Sequence, residues 1–403
     1  SVPSPAEKVI RRPSPNGVAC LWAEMMMRRL CWLSLTSVLL AALPGAALTF
    51  EKTVIDPTFR GEGVAAADVN HDGKLDVLAG DLWYQAPDWK QHAIRPLGNY
   101  DWEKGYSKVF YVFAADINRD GWVDEIVIDT PNAAATWYEN PKGAEGNWKE
   151  RPIAAHVCNE TPWFTDLLGD GTPTLVFADE KPHEMRWYRP GADLDQPWDS
   201  FVIGAAGSAG TNMYSHGLGV GDVNGDKRLD VVIKEGWWEA PEDRTKGPWT
   251  FHKAALGQDS AQMLVYDVNG DGRPDVLSSS AHRFGIWWFE QAADGSFTEH
   301  LIDDKISQTH ALRLADLDGD GTPELITGKR FWVHMGADPG SKDPAYLTCY
   351  RLSRAGGQVT WTRTDLDDNS GVGQDLLPVD LNGDGKLDIV VSNKKGVAIH
   401  LQK

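Results

Sequence analysis

At 403 residues, of which 42% are apolar, the chain is long enough to bury a large core. Its 58 acidic residues outnumber its 39 basic residues and give a formal net charge of -19. No basic stripe runs through the sequence, which argues against nucleic-acid binding. Because 21 of the acids recur at fixed positions of one repeated loop, the acidity indicates bound cations rather than a basic partner.

The first 47 residues are typical of processed sequence. Residues 1–24 read as upstream read-through, and residues 25–47 as a signal peptide with a basic pair, an apolar run and a small-residue cleavage site. The apolar run is too short for a stable membrane anchor. We therefore expect a mature chain of residues 48–403 that is secreted or periplasmic.

The stretch DVNGDGRPD, from Asp267 to Asp275, recurs six more times in recognisable form. Acids stand at its first, fifth and ninth positions, asparagine at its third and glycine at its sixth. Oxygen ligands at alternate positions around a glycine turn are how a short loop wraps Ca²⁺. Strand-like apolar runs flank the loops where an EF-hand has helices. The pattern predicts structural calcium loops between β-strands.

Six of the seven loops keep a full ligand set. The third loop has Leu168 and Thr174 at ligand positions, so we predict that it holds no ion tightly. The fourth has Lys227 at the glycine position, which strains the turn but leaves the ligands in place. The predicted calcium ligands are Asp68, Asn70, Asp72, Asp76, Asp116, Asn118, Asp120, Asp124, Asp222, Asn224, Asp226, Asp230, Asp267, Asn269, Asp271, Asp275, Asp316, Asp318, Asp320, Glu324, Asp380, Asn382, Asp384 and Asp388.

The loops are spaced 45 to 64 residues apart, and each unit contains four strand-like runs. Four strands per repeat favour a propeller blade. The last unit ends after its third strand, and a run of the missing type lies at residues 48–56. Because donating that strand to the last blade removes an open sheet edge, we predict an all-β, seven-bladed β-propeller of four-stranded blades over residues 48–403, closed by the N-terminal strand.

The repeated loops in their strand-loop-strand context resemble FG-GAP/VCBS repeats over residues 48–403. Three segments of the second half, YSHGLGVGDVNGD, SSSAHRFGIWWFEQ and THALRLADLDGDGTPELITGKRFWVHMG, are similar to the propeller part of aldos-2-ulose dehydratase-like proteins. This second resemblance implies a secreted enzyme that acts on a keto-sugar.

Two rings of side chains are predicted to meet at the axial mouth opposite the calcium loops. Six residues before each loop stand Glu62, Phe110, Glu160, His216, Ala261, His310 and Gln374. Five residues after each loop stand Asp81, Asp129, Asp179, Glu235, Ser280, Lys329 and Asn393. A solvated loop face would also be polar, but the start of the innermost strand faces the axis, where a ligand site is expected.

The catalytic candidates are His216, His310, His282, His334, Lys329, Arg330 and Glu235. Two alternatives stay open for the histidines. With Glu235 or Glu160, His216 and His310 could bind a catalytic Zn²⁺ or Mn²⁺, or the histidines could act without a metal as general base and acid.

The substrate-binding candidates are Glu62, Glu160, Asp179, Lys234, Gln374, Asn393 and Trp332. Trp332 lies in an insertion of residues 329–345, for which a role as a lid is predicted. The tryptophans that recur on the third strand of successive repeats are expected to pack in the core instead.

Two functions fit this pattern. A carbohydrate lyase or dehydratase, performing β-elimination on a keto-sugar or a uronate, needs a base, an electrophile and an acid. His216 or His310 would be the base, and His282 or His334 the acid. Lys329, Arg330 or a metal would be the electrophile. A non-catalytic module that binds a glycan or a protein in adhesion would show the same residues. We expect a monomer in either case.

Overall fold

The computed structural model describes residues 48–403, so the predicted read-through and signal peptide at residues 1–24 and 25–47 lie outside the described part. No helix in that part is long and apolar enough to cross a membrane. Two short 3₁₀ turns span Val333–Gly336 and Ala355–Gly357. The strands are β1 (Phe50–Asp56), β2 (Ala65–Ala67), β3 (Asp76–Ala79), β4 (Leu82–Gln85), β5 (Lys90–Ala93), β6 (Tyr111–Ala115), β7 (Asp124–Ile128), β8 (Ala133–Glu139), β9 (Lys149–Val157), β10 (Trp163–Thr165), β11 (Thr174–Asp179), β12 (Glu184–Arg189), β13 (Asp199–Gly204), β14 (Gly219–Gly221), β15 (Asp230–Ile233), β16 (Gly236–Glu239), β17 (Thr250–Lys253), β18 (Leu264–Tyr266), β19 (Asp275–Ser279), β20 (Phe284–Gln291), β21 (Phe297–Ser307), β22 (Leu312–Ala315), β23 (Glu324–Gly328), β24 (Leu347–Ser353), β25 (Thr360–Asp367), β26 (Leu376–Val379), β27 (Asp388–Asn393) and β28 (Gly396–Gln402).

The strands form antiparallel sheets, which confirms the all-β prediction. Four sheets take four consecutive strands each, β2 to β5, β14 to β17, β18 to β21 and β22 to β25. The strands β6 to β13 form one eight-stranded sheet, in which Val157 of β9 pairs with Asp179 of β11. The last sheet has the order β1, β28, β27, β26. The N-terminal strand is therefore the fourth strand of the last sheet.

Pairing between β1 and β28 is antiparallel, with Phe50 opposite Gln402 and Thr53 opposite Ile399. The first strands of successive sheets also lie beside one another: β14 contacts β18, β18 contacts β22, β22 contacts β26, and β26 contacts β2. The first and last strands of the described chain, β1 and β28, thus pair in one sheet. The first strand of that sheet, β26, also contacts β2.

Tryptophans of the third strands fill the core, as the sequence predicts. Trp137 and Trp187 have no exposed surface. Others stack flat on a histidine of the next strand: the ring centroids of Trp83 and His92 are 4.2 Å apart, and the pairs Trp237 with His252 and Trp288 with His300 repeat this at 4.3 Å. Each aromatic pair therefore packs the third strand on the fourth.

The ninth residue of each loop fixes the loop to its sheet. Asp76 accepts hydrogen bonds from the backbone N–H groups of Val69 and Ala86, at 3.1 and 2.8 Å. In the third loop Thr174 replaces the acid, and its hydroxyl accepts from the N–H of Leu167 at 3.2 Å. The ninth acids of loops two, four, five and seven repeat the arrangement of Asp76, namely Asp124, Asp230, Asp275 and Asp388. This position has a structural role that is independent of any metal.

Each loop joins the first strand of its unit to the second, as β2 and β3 illustrate at Asp68 to Asp76. Because these strands are antiparallel, the start of the first strand and the end of the second lie together at the opposite end of the sheet. The residues of both predicted rings occupy that end.

Candidate functional site

Five residues that precede the first strands, with one from the insertion after β23, form a buried polar cluster. Its members are Glu62, Glu160, His216, His310, Gln374 and Arg330, each connected to another member by a contact given below. Glu62, His310 and Gln374 have no exposed surface, and Arg330 has 1%. The five polar members of the predicted first ring therefore converge.

Arg330 joins the two glutamates of this cluster. Its Nε and Nη2 donate to the two carboxylate oxygens of Glu62, both at 2.8 Å, and its Nη1 lies 3.5 Å from Glu160 Oε2. The guanidinium carbon lies 5.2 Å from the ring centroid of Tyr106 and 5.4 Å from that of Phe110. The bidentate pair and the two rings hold Arg330 in one orientation.

Three histidines meet beside Glu160. The Nε2 atoms of His216 and His282 are 2.9 Å apart, and Glu160 Oε2 lies 3.5 Å from His216 Nε2. The ring centroid of His310 is 5.9 Å from that of His216 and 5.5 Å from that of His282. One ligand atom from each histidine lies within 4.8 Å of the others. The structure therefore brings the predicted pair His216 and His310 close together, and His282 joins them.

Hydrogen bonds to the other ring nitrogen fix two of these imidazoles. His282 Nδ1 lies 3.1 Å from Asp338 Oδ2, and His310 Nδ1 lies 3.3 Å from the carbonyl oxygen of Gln308. Both partners can only accept, so each Nδ1 carries the proton and each neutral ring keeps a lone pair on Nε2, which in His282 faces Nε2 of His216. His310 Nε2 is buried and has no hydrogen-bond partner among the described residues.

Asp338 binds a fourth histidine with its other oxygen. His334 Nδ1 lies 3.0 Å from Asp338 Oδ1, and its ring stacks on that of His282 with centroids 4.7 Å apart. The side chain of His334 is 50% exposed. Its Nε2 therefore offers a basic lone pair that solvent or a substrate can reach.

The cluster shifts the pKa of several groups. Burial lowers the pKa of His310 well below its usual value and, with the charge of His216, that of His282 as well. Burial alone would raise the pKa of Glu160, but its contact with His216, the charge of Arg330 and a hydrogen bond from Gln374 lower it to about 2. At neutral pH the imidazoles of His282 and His310 are therefore neutral, whereas the carboxylate of Glu160 is ionised.

The other predicted residues lie around the cluster rather than in it. Lys329 donates to the carbonyl oxygens of Gly340 and Asp343 within the insertion. Lys234 pairs with Asp259 and lies 3.8 Å from Glu235. The remaining three make backbone contacts: Asp179 accepts from the N–H of Lys181, Asn393 donates to the carbonyl of Ser370, and the carbonyl of Trp332 accepts from Lys394.

Sequence reasoning missed Asp338 and Tyr106. Asp338 orients two histidines, and the hydroxyl of Tyr106 accepts a hydrogen bond from the backbone N–H of His334 at 2.9 Å. Both lie in long connections, Tyr106 between β5 and β6 and Asp338 between β23 and β24. The excess length of these connections was the available signal, since the repeat register gives no position for their residues.

The repeated loops bring carboxylates together. In the sixth loop one oxygen from each of Asp316, Asp318 and Asp320 lies within 4.8 Å of the others. Burial and neighbouring loop carboxylates raise the pKa of the ninth acid to about 6 in Asp76 and about 7 in Asp124. The fourth loop turns through Lys227 with φ of 70°, in the left-handed region that favours glycine.

Comparison with known proteins supports the repeat type and the fold. Residues 267–327 match the family model described as FG-GAP-like repeat. No curated protein matched the sequence. Among solved structures, BBS1N in complex with ARL6DN is 10% identical with a TM-score of 0.53, and the match covers 88% of this chain and 96% of that one. The two share a propeller-like, all-β fold.

A lectin from Agrocybe aegerita, described as specifically recognising non-reducing terminal N-acetylglucosamine, is 17% identical with a TM-score of 0.47. That match covers 88% of this chain and 86% of the lectin. The resemblance of the second half to aldos-2-ulose dehydratase-like proteins stays a prediction.

Proposed function

We propose that the protein is an exported, calcium-stabilised propeller that catalyses β-elimination on a keto-sugar or a uronate, with its active centre at His216, His282 and His310. The cluster lies at the end of the fold opposite the repeated loops. Elimination requires a basic group and a way to stabilise the charge that develops on the substrate oxygen. The buried polar cluster and the exposed His334 beside it offer both.

One observation supports the proposal most: the Nε2 lone pairs of His282 and His310 converge on Nε2 of His216. Histidines that bind a metal commonly donate the other ring N–H to a carboxylate or a backbone carbonyl. Asp338 and the carbonyl of Gln308 are such acceptors. The partnerless Nε2 of His310 gains a partner if the group binds Zn²⁺ or Mn²⁺.

The buried charges favour a cation at the same place. Glu62 and Glu160 carry two negative charges, and Arg330 supplies one positive charge between them. The one net negative charge that remains attracts a cation beside His216 and Glu160, and a divalent ion there would leave the group with one net positive charge. When bound, such an ion supplies an electrophile for a carbonyl or carboxylate oxygen.

His334 is the group placed to exchange a proton with a substrate. Its Nε2 takes the proton from the carbon next to the carbonyl, and the electron pair of that C–H bond becomes the new C=C bond. The bond from the adjacent carbon to its oxygen substituent breaks, and the leaving oxygen takes the proton back from the imidazolium. This assigns to His334 the role of base and acid, while His216 and His310 are ligands rather than bases.

The scaffold proposal is a ring of seven blades with six Ca²⁺ ions. The pairing of β1 with β28 and the contact of β26 with β2 support closure. Across the same junction, the N–H of Gln374 donates to the carbonyl of Glu62 at 2.8 Å. The clustered loop carboxylates, whose mutual repulsion a cation would relieve, support calcium.

A substrate panel separates catalysis from binding alone. The purified protein is incubated with keto-sugars and with uronate-containing glycans, and the ultraviolet absorbance of an unsaturated product is followed. We expect absorbance to rise with at least one substrate. A flat trace across the panel, with glycan binding retained, would instead establish the alternative function, a non-catalytic binding module.

Metal analysis tests the ligand assignment. Transition-metal content is measured in the wild type and in the variants His216→Ala and His310→Ala. His252→Ala is the matched control, since His252 lies on the outer strand β17, where it stacks on Trp237. We expect the first two variants to lose the metal and the control to keep it. Unchanged metal content in all three would reject the ligand role.

A further inference from the structure

A groove next to the insertion gathers lysines and aromatic rings that the centre described above does not use. It has a volume of about 400 Å³, and its lining includes Lys52, Lys394, Lys395, Trp102, Phe331 and Asn369. Three lysines in one groove stand out in a chain with a net charge of -19.

Two of the lysines form no ion pair within residues 48–403, although the charge of Glu62 acts on Lys394 and that of Asp367 acts on Lys395 from a longer distance. Lys52 forms an ion pair with Asp367 at 3.1 Å. Between residues 48 and 403, no carboxylate lies within ion-pair distance of Lys394 or Lys395. The ammonium of Lys394 donates to the carbonyl of Trp332 at 3.1 Å.

The same two lysines lie against aromatic rings. Lys394 Nζ is 4.2 Å from the ring centroid of Tyr106, and Lys395 Nζ is 4.3 Å from that of Phe331. Burial lowers the pKa of Lys394 to about 8 and also lowers that of Lys395. A bound anion would therefore stabilise the charged ammonium groups of Lys394 and Lys395.

An aromatic wall accompanies the lysines. Trp102 is 36% exposed. Its ring centroid is 5.7 Å from that of Phe331 and 5.9 Å from that of Trp332. A rigid, partly exposed indole offers an apolar face to a sugar ring while polar groups bind its substituents.

Tyr106 does not line the groove, but it connects the groove residue Lys394 to the histidine centre. The ring of Tyr106 contacts both Lys394 and Arg330, and its hydroxyl accepts the N–H of His334. The groove and the proposed centre therefore lie on either side of one aromatic residue.

We propose that this groove binds an anionic unit of an acidic saccharide, with its carboxylate or sulfate between Lys394 and Lys395 and its ring against Trp102. The inference rests on the proposed function in one respect, because it selects an acidic saccharide over a neutral keto-sugar as the substrate class of that centre. Binding to the groove itself requires no catalysis.

Calorimetric titration of the purified protein tests the proposal. The probes are tetragalacturonate, its carboxyl-reduced neutral form, a carrageenan tetrasaccharide and sodium sulfate. We expect the protein to bind tetragalacturonate or the carrageenan, and to bind the neutral form at least about tenfold more weakly, as the loss of a charge-assisted hydrogen bond implies. Equal binding of the charged and neutral forms, or no binding of either charged oligosaccharide, would overturn the proposal.

Matched variants locate the binding. Lys395→Gln and Trp102→Ala are each expected to weaken binding about tenfold. The controls Lys253→Gln on β17 and Trp122→Ala in the second loop should not change it. If both groove variants bind like the wild type, the groove is not the site. If sodium sulfate binds as tightly as the oligosaccharides and Trp102→Ala has no effect, the lysines bind a simple anion and the saccharide assignment fails.

The two proposals fail in different ways. His310→Gln should lose elimination and retain saccharide binding. Saccharide binding without elimination in the wild type would reject the proposed function and leave the groove assignment in place. Elimination on a neutral keto-sugar without binding of either charged oligosaccharide would reject the groove assignment and leave the proposed function.

Discussion

Arg330 and Glu62, 268 positions apart in the sequence, form a bidentate ion pair with two hydrogen bonds of 2.8 Å and almost no exposure to solvent. The pair connects the insertion of the sixth repeat to the residue that begins the first repeat. It therefore joins the sixth repeat to the first directly beside the histidine cluster.

Breaking this pair should strongly destabilise the fold. Arg330→Met leaves Glu62 buried without its partner, and breaking a buried pair from one side costs about 3–5 kcal/mol. Chemical denaturation should show this loss in the free energy of unfolding. The double variant Glu62→Gln with Arg330→Met should recover part of it. A loss below about 1 kcal/mol in the single variant would show that the pair does not hold the junction.

Lys227 should be replaceable by glycine with a gain in stability. Its φ of 70° is unfavourable for a side chain with Cβ, and relieving it gains about 1 kcal/mol. Gly385 is the matched position in the last loop, where φ is 87° and an added Cβ meets no atom within 4 Å. We expect Lys227→Gly to raise the melting temperature and Gly385→Lys to lower it. The same sign for both changes would contradict the assignment of strain.

Removal of calcium should destabilise the fold, with a separate contribution from each loop that binds an ion. A chelator should lower the melting temperature, since an ion that binds only the folded state adds about 2.7 kcal/mol per site at a concentration 100 times its dissociation constant. Asp267→Ala should reduce the number of bound calcium ions per chain by one. Asp166→Ala, in the third loop, should leave it unchanged. A melting temperature that does not respond to chelation would contradict the assignment of calcium to the loops.

His400 should make stability depend on pH. Burial lowers its pKa from 6.5 to about 4, with Asp367 opposing the shift and Lys52 adding to it, and its Nε2 lies 3.1 Å from Ser370 Oγ. Between these values the unfolded chain binds more protons than the folded chain. His400 therefore contributes no pH dependence of stability above about pH 6.5. The free energy of unfolding falls by about 3 kcal/mol as the pH decreases from there towards 4.

The variant His400→Gln should remove this part of the pH dependence. The measurement is the free energy of unfolding at several pH values between 4 and 7, compared with the wild type and with His252→Gln, whose imidazole is 41% exposed. A wild-type slope retained in His400→Gln would assign the pH dependence to other groups.

The repeat register explains how far the sequence could predict this molecule. Counting from the loop glycines places strands and first-ring residues such as Glu62 and His310, because every repeat turns in the same way. The fourth loop position also adopts positive φ, in His71 and Arg119 as well as in Gly270, and the glycines there were a signal that went unused. The register assigns no position to residues of long connections, and for this reason the sequence did not predict Asp338 and Tyr106.

Chemistry at the loops was harder to predict than geometry. The sequence assigns the ninth acid, for example Asp76, to a metal, whereas its two oxygens also accept backbone hydrogen bonds that fasten the sheet. A carboxylate at a turn satisfies both roles, so the residue type alone does not separate them. The same limit applies to Glu235, whose ring position is equivalent to that of Lys329 but which lies beside Lys234 rather than a histidine.

The most direct test of the account is the rate at which His310→Gln forms an unsaturated product from a substrate identified in the panel. His310 is buried and touches no solvent, so its loss acts on the centre rather than on the surface. We expect kcat/KM to fall about 10³-fold relative to both the wild type and His252→Gln. An unchanged rate in a folded His310→Gln protein would contradict a catalytic centre at these histidines.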